Sequence, residues 1–256
     1  MNVKVIIGIF LCLFSIIGYF VSLHYLLLGS ILTLTFWIGL WLFIPKRFFD
    51  LTWNINKGRA YWISFSLYFL FHLILYGFFY YIILGAIIYY PIYTIYVDAS
   101  ITPPLPYFLY WISNSPSISI IIAGYDMGIF PFTTFIGVIL AFLIGSNIQK
   151  IMELKDMLTS YKRSTALIAI PALGVVSGTS CCLSLPSLVI YFVALDLGMV
   201  SSVLPILASP IYFGFIWYGL PISSVLILLF NLRDLNKAVY RLRFRNCNIN
   251  KETNTN

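Results

Sequence analysis

Apolar positions in this chain gather into long runs separated by short polar stretches, with few charges inside any run. A hydrocarbon layer of roughly 30 Å needs about 20 helical residues at 1.5 Å rise. Windows of that length place membrane-spanning helices near 5–22, 25–44, 61–84, 130–148, 166–193 and 203–230. Val5 to Ser22 has no small-residue cleavage site and is too long for a secretion-signal core, so it is read as a retained helix. A short connector around His24 makes the first two helices an antiparallel hairpin. The predicted fold class is all-α: a polytopic bundle of six spans, the fifth and sixth interrupted by prolines, in one domain over 1–245.

Composition agrees with lipid as the solvent. Residues are 61% hydrophobic and 9% charged, against roughly 25% charged in a soluble domain, too few to cover a water-soluble core. The net charge of +7 is then a topology signal. All 15 Lys and Arg fall on one side of the predicted spans: Lys4; Lys46, Arg47, Lys57 and Arg59; Lys150, Lys155, Lys162 and Arg163; Arg233, Lys237, Arg241, Arg243, Arg245 and Lys251. The other side carries only Asp98, Asp126 and Asp196. Positive residues stay inside, so both termini are assigned to the cytoplasm and the location to the plasma membrane.

The same asymmetry decides two ambiguous stretches. A seventh helix through Leu105–Ala123 would put Lys150 to Arg163 outside, and Ser113 to Ser117 with Pro116 breaks helical continuity. The segment 91–129 is therefore expected to be an external loop with an interfacial aromatic patch, Tyr107 to Trp111. Residues 164–232 are long enough for three helices, but three would export Arg233 to Arg245, so two are expected with a broken piece between them. The Asn-rich end, 246–256, is expected to be disordered and cytoplasmic.

Candidate chemistry is sparse. In the fifth predicted span, Gly174, Ser177, Gly178, Thr179, Ser180, Cys181, Cys182 and Ser184 cluster ahead of Pro186. Cys181 would lie about 22 Å along a helix starting at Ala166. Gly174 and Gly178 form a Gly-x-x-x-Gly face that lets another backbone approach closely. The alternative is a soft-metal site, because thiolates favour Cu(I), Hg(II) and Zn(II). Cys181-Cys182 resembles the adjacent cysteines of bacterial mercury-transport proteins, although those are shorter and carry the pair in their first helix. Chelation by both thiols would require local unwinding, which Pro186 permits. No resident cofactor is expected.

Tyr61, Ser64, Tyr68, His72 and Tyr76 recur every three or four residues and share one helix face. His72 falls near mid-bilayer, where an ionisable group is a functional candidate. The plain reading is an imidazole bonded to a tyrosine or serine of a neighbouring helix; the functional one is a proton relay or polar pore lining. His24 and His72 lie at different depths, which excludes haem held between them. Enzyme signatures are absent, so no catalytic residue is assigned. Arg233, Lys237 and Arg241 share one helix face, followed by Arg243 and Arg245, a cluster suited to anionic lipid headgroups, a cytosolic ATPase or nucleic acid.

The wealth of Ile, Tyr and Asn with few charges has the style of a thermoacidophilic crenarchaeal membrane protein. In size, helix number and composition the whole chain resembles the polytopic membrane component of the crenarchaeal DNA-exchange import system. That resemblance implies work alongside small two-helix membrane proteins and a cytosolic motor ATPase, with DNA as cargo. The expected function is a transport-associated membrane subunit. A soft-metal permease using Cys181 and Cys182 and a non-catalytic structural subunit are the alternatives.

Overall fold

The computed structural model describes residues 3–22, 25–53, 55–83, 92–122, 125–158, 185–207 and 209–253. It is mostly helical, and four stretches among these residues are long and apolar enough to cross a membrane: Val3–Val21, Leu26–Phe43, Pro131–Lys155 and Pro210–Leu242. The burial pattern of the first is the reverse of that in a water-soluble bundle. The buried residues of α1 (Val3–Val21) are Gly8, Ser15 and Tyr19, while Phe10, Leu13, Phe14 and Ile17 point outward. Small and polar groups face protein, and large apolar ones face a medium that does not penalise them.

The chain divides into two compact units: residues 1–50 with 71–138, and 51–70 with 139–256. The first is built on α1 and α2 (Leu26–Phe43). Gly8, Cys12, Ser15, Tyr19 and Ser22 recur at intervals of four and three, the spacing that keeps one face on a partner helix. A Cβ at Gly8 would stand 2.8 Å from the Gly39 carbonyl oxygen, so the two backbones touch there. The Ser15 hydroxyl donates to Leu32 O at 2.6 Å and the Cys12 thiol to Phe36 O at 3.7 Å.

Onto this hairpin the chain folds β1 (Tyr93–Asp98), α5 (Phe108–Asn114, entered through a 3-10 turn at Leu105–Tyr107), β2 (Ser117–Ile122) and β3 (Tyr125–Ile129). The strands form an antiparallel sheet in the order β1-β2-β3, with Val97 opposite Ile118 and Ile118 opposite Ile129. This corrects the all-α expectation and the reading of 91–129 as a loop. The tie points are specific: Tyr19 OH to Pro103 O at 2.5 Å, Ser22 Oγ to Thr102 Oγ1 at 3.1 Å, and Trp37 Nε1 to Ile112 O at 2.8 Å. Trp37 lies about 16 Å along α2 from Leu26, so the segment reaches well down the hairpin. The sheet is also inverted relative to one in water, with Ser117 and Ser119 buried while Ile95 and Val97 are 70% and 72% exposed.

The second unit pairs the later part of α6 (Pro131–Leu158) with α10 (Leu220–Thr253). Before them come α3 (Lys46–Trp53), whose last residues belong here, and α4 (Arg59–Ile83), whose first half does. Ahead of α10 the chain forms α7 (Leu185–Asp196), α8 (Val200–Leu207) and α9 (Pro210–Gly214). Gly198 takes a φ of 66° just past α7, the left-handed conformation that ends helices. Within the stretch predicted as the sixth span, α8 contains Pro205 and ends at Leu207, and α9 starts at Pro210 with Ser209 Oγ accepting from Tyr212 N. A π turn, Phe215–Gly219, then precedes Pro221. Its wider winding makes room where a proline ring would press on the carbonyl four residues back.

α10 runs on to Thr253, into the stretch expected to be disordered. A helix already nucleated by a long apolar run extends at small cost per residue, so the polar composition of its end did not stop it.

Candidate functional site

α4 brings Tyr61, Tyr68 and His72 to one buried face, as their spacing required. The side chain of Tyr76 lies outside the described residues. His72 is 1% exposed, and its Nε2 lies 3.0 Å from the Thr133 carbonyl oxygen on α6. A carbonyl only accepts, so Nε2 carries the hydrogen and donates. Gly137 lets the ring lie against the helix within reach of that backbone oxygen. A Cβ there would sit 2.5 Å from His72 Cδ2. This geometry pins α4 to the first turns of α6.

A second buried polar cluster joins α6 and α10. Asn147 is fully buried; its Nδ2 donates to Leu143 O at 2.8 Å and to Leu228 O at 3.1 Å, and its Oδ1 accepts from Asn231 Nδ2 at 3.0 Å. Farther along, Leu154 packs with Leu235 and Val239. Numbers rise together on the two helices, so they run parallel. Buried Leu228, Leu232, Leu235 and Val239 repeat at four, three and four residues, the spacing of a coiled-coil seam. A buried asparagine in such a seam fixes register, since any slip would leave its amide unsatisfied in an apolar setting.

The outer face of this pair is basic. Arg233, Lys237 and Arg241 are exposed at i, i+4 and i+8, opposite the buried seam. Asp234 lies 3.5 Å from Lys237, and Lys150 pairs with Glu153 at 2.7 Å. Arg243 and Arg245 continue α10, with side chains outside the described residues. Nearby in the same unit, Lys57 Nζ stands 3.6 Å above the Trp53 ring and 5.6 Å from that of Tyr61, an arrangement in which ring faces stabilise the cation.

No protein-family model, curated protein or solved structure matches this chain.

Gly174, Gly178, Cys181 and Cys182 lie outside the described residues. Pro186 is the second residue of α7, a first-turn position where its missing N–H costs no helical bond. Among the described residues, no three His, Cys, Asp or Glu side chains are grouped to hold a metal ion. The sequence reading passed over Asn147 and Asn231. Their signal was available: each is an uncharged amide within a long apolar helix, the residue type that bonds helices together in lipid.

Proposed function

We propose that the chain is a multi-pass plasma-membrane subunit of a transport assembly, with six spans and both termini in the cytoplasm, that presents a basic two-helix stalk to a cytosolic partner. The observation that carries this reading is the α6–α10 pair. α10 has 34 residues, about 51 Å of helix, more than a bilayer core requires. Its apolar stretch gives way at Arg233 to a basic face backed by the seam of Leu154, Leu235 and Val239. A bare lipid anchor needs only the charges. A paired, register-fixed stalk holds them in a set direction, as docking to a folded partner demands.

Topology is supported by the positions of the fifteen basic residues and by the bonds of Pro103 to Tyr19 and of Thr102 to Ser22 at the connector end of the hairpin, from which the segment reaches down to Trp37. The pinned state of His72 and Asn147 favours bundle assembly over a proton path through these residues, so cargo would cross with the help of partner subunits. The resemblance in size and composition makes DNA the cargo and a motor ATPase the partner. A channel wall free of deep carboxylates suits a polyanion.

The test is affinity purification of the tagged chain from its native membranes in mild detergent, with mass spectrometry of what accompanies it. Wild type is expected to bring down an ATPase and small membrane proteins. The triple variant Arg233→Glu, Lys237→Glu, Arg241→Glu should lose the ATPase and keep the membrane proteins. Recovery of wild type alone, or equal recovery of the ATPase by both forms, overturns the docking role.

A further inference from the structure

β1 stands at one edge of the three-stranded sheet, paired with β2 on one side only. All its residues are exposed, so neither of its faces is covered. The other edge strand, β3, is tied in: the Tyr125 hydroxyl donates to Ile74 O, and Gly128 is buried. Along β1 every second residue turns its N–H and C=O away from β2, and among the described residues no strand pairs with that outer row.

Edge strands are ordinarily guarded by lysine, proline or a bulge. β1 reads Tyr-Thr-Ile-Tyr-Val-Asp and has none of these, and its pairing with β2 runs in unbroken register from Tyr93 to Asp98. Every residue before Asp98 is aromatic or β-branched, the types that favour strands. Such an edge is a template for another strand in water, and in hydrocarbon its bare groups have no solvent to bond. What it lacks is therefore an extended backbone, a requirement that an apolar covering cannot meet.

β1 is its own complement. Two copies paired antiparallel about a two-fold axis set residues an even number apart against each other, because only those turn their backbone groups the same way. With Tyr96 on the axis, Tyr96 meets Tyr96, Ile95 meets Val97 and Thr94 meets Asp98. These are an aromatic pair, a β-branched pair and a hydroxyl able to donate to a carboxylate. The two Asp98 then lie about 14 Å apart along the strands, whereas a parallel pairing in register would set them side by side. An axis at Ile95 would place Asp98 against apolar Ile92.

We propose that the chain forms a two-fold dimer by antiparallel pairing of β1 with β1 of a second copy, centred on Tyr96, which joins the two sheets into one.

The test uses the full-length chain with its native cysteines replaced by alanine, in the membranes of the cells that express it. Under mild oxidation Tyr96→Cys is expected to give a disulfide-linked species of twice the chain mass that reduction separates, since facing residues lie within disulfide reach. Thr94→Cys, whose mate stands about 14 Å away along the strands, should give none. Mass spectrometry of the linked species identifies both chains. Register is read separately with Tyr96 intact, from the dimer fraction in mild detergent by native mass spectrometry. Thr94→Asp sets carboxylates against each other and should lower that fraction several-fold, while Thr94→Lys should raise it. Absence of the Tyr96→Cys link, equal linking at 94 and 96, linkage of Tyr96→Cys to a different protein, or a dimer fraction indifferent to the charge at 94 would each overturn the proposal. Should Tyr96→Cys fail to accumulate, the Thr94 pair decides alone.

Discussion

The Asn231 amide donates to the Asn147 side-chain oxygen at 3.0 Å in the buried seam between α6 and α10, and Asn147 in turn holds the Leu228 carbonyl at 3.1 Å. Two helices far apart in sequence are thereby locked in one register through a fully buried amide, Asn147.

Asn147→Ala removes the bonds of its side chain to Leu143 O, Leu228 O and Asn231 Nδ2 at once. The expected loss of stability is about 1–3 kcal/mol, with a coupling to Asn231→Ala of about 0.6 kcal/mol and at most about 1.7. Thermal or SDS-induced unfolding in detergent, run as a double-mutant cycle, measures both. Strict additivity of the two substitutions would mean that the amides do not meet.

The contact between His72 and Gly137 makes a second-site prediction. Gly137→Ala pushes a methyl into the imidazole and breaks its bond to Thr133 O, for an expected loss of about 1–3 kcal/mol. Because His72→Ala clears that space, the double variant should be more stable than the sum of the singles predicts. Unfolding in detergent again reads the outcome. A Gly137→Ala protein as stable as wild type would show that the ring has room to move.

Sidedness can be read with thiol labels. In a chain whose native cysteines are replaced by alanine, Asp196→Cys is expected to react with a membrane-impermeant maleimide on intact cells. Lys237→Cys should react only after permeabilisation. Labelling of Lys237→Cys on intact cells would invert the proposed topology.

The helices were legible because their signal is long and one-sided: α1, α2 and α4 lie within a few residues of where hydropathy windows put them. The ends of α6 and α10 were not, since both continue past the apolar run on a seam that a hydropathy window does not weigh. The sheet was hidden for a different reason. Ser117-Ile118-Ser119-Ile120 alternates with period two, yet polar-in and apolar-out is the opposite of the pattern expected in water, and in a chain this apolar it blends into the background. His72 was legible as a buried group, but its bond to Thr133 O was not, because a backbone carbonyl leaves no mark in the sequence. The ladder Gly8, Cys12, Ser15, Tyr19 and Ser22 went unread, because Tyr19 interrupts the small residues whose spacing marks a packing face.

That ladder bears on how the protein is made. The contacts of Gly8 with Gly39 and of Ser15 with Leu32 use only the first 43 residues, so the opening hairpin can enter the bilayer and close on itself while the ribosome is still translating the middle of the chain. The surface that receives Pro103, Thr102 and Ile112 would then exist before those residues are synthesised. In this order of events the hairpin is the template, and the sheet that follows is moulded against it at the moment it leaves the exit tunnel.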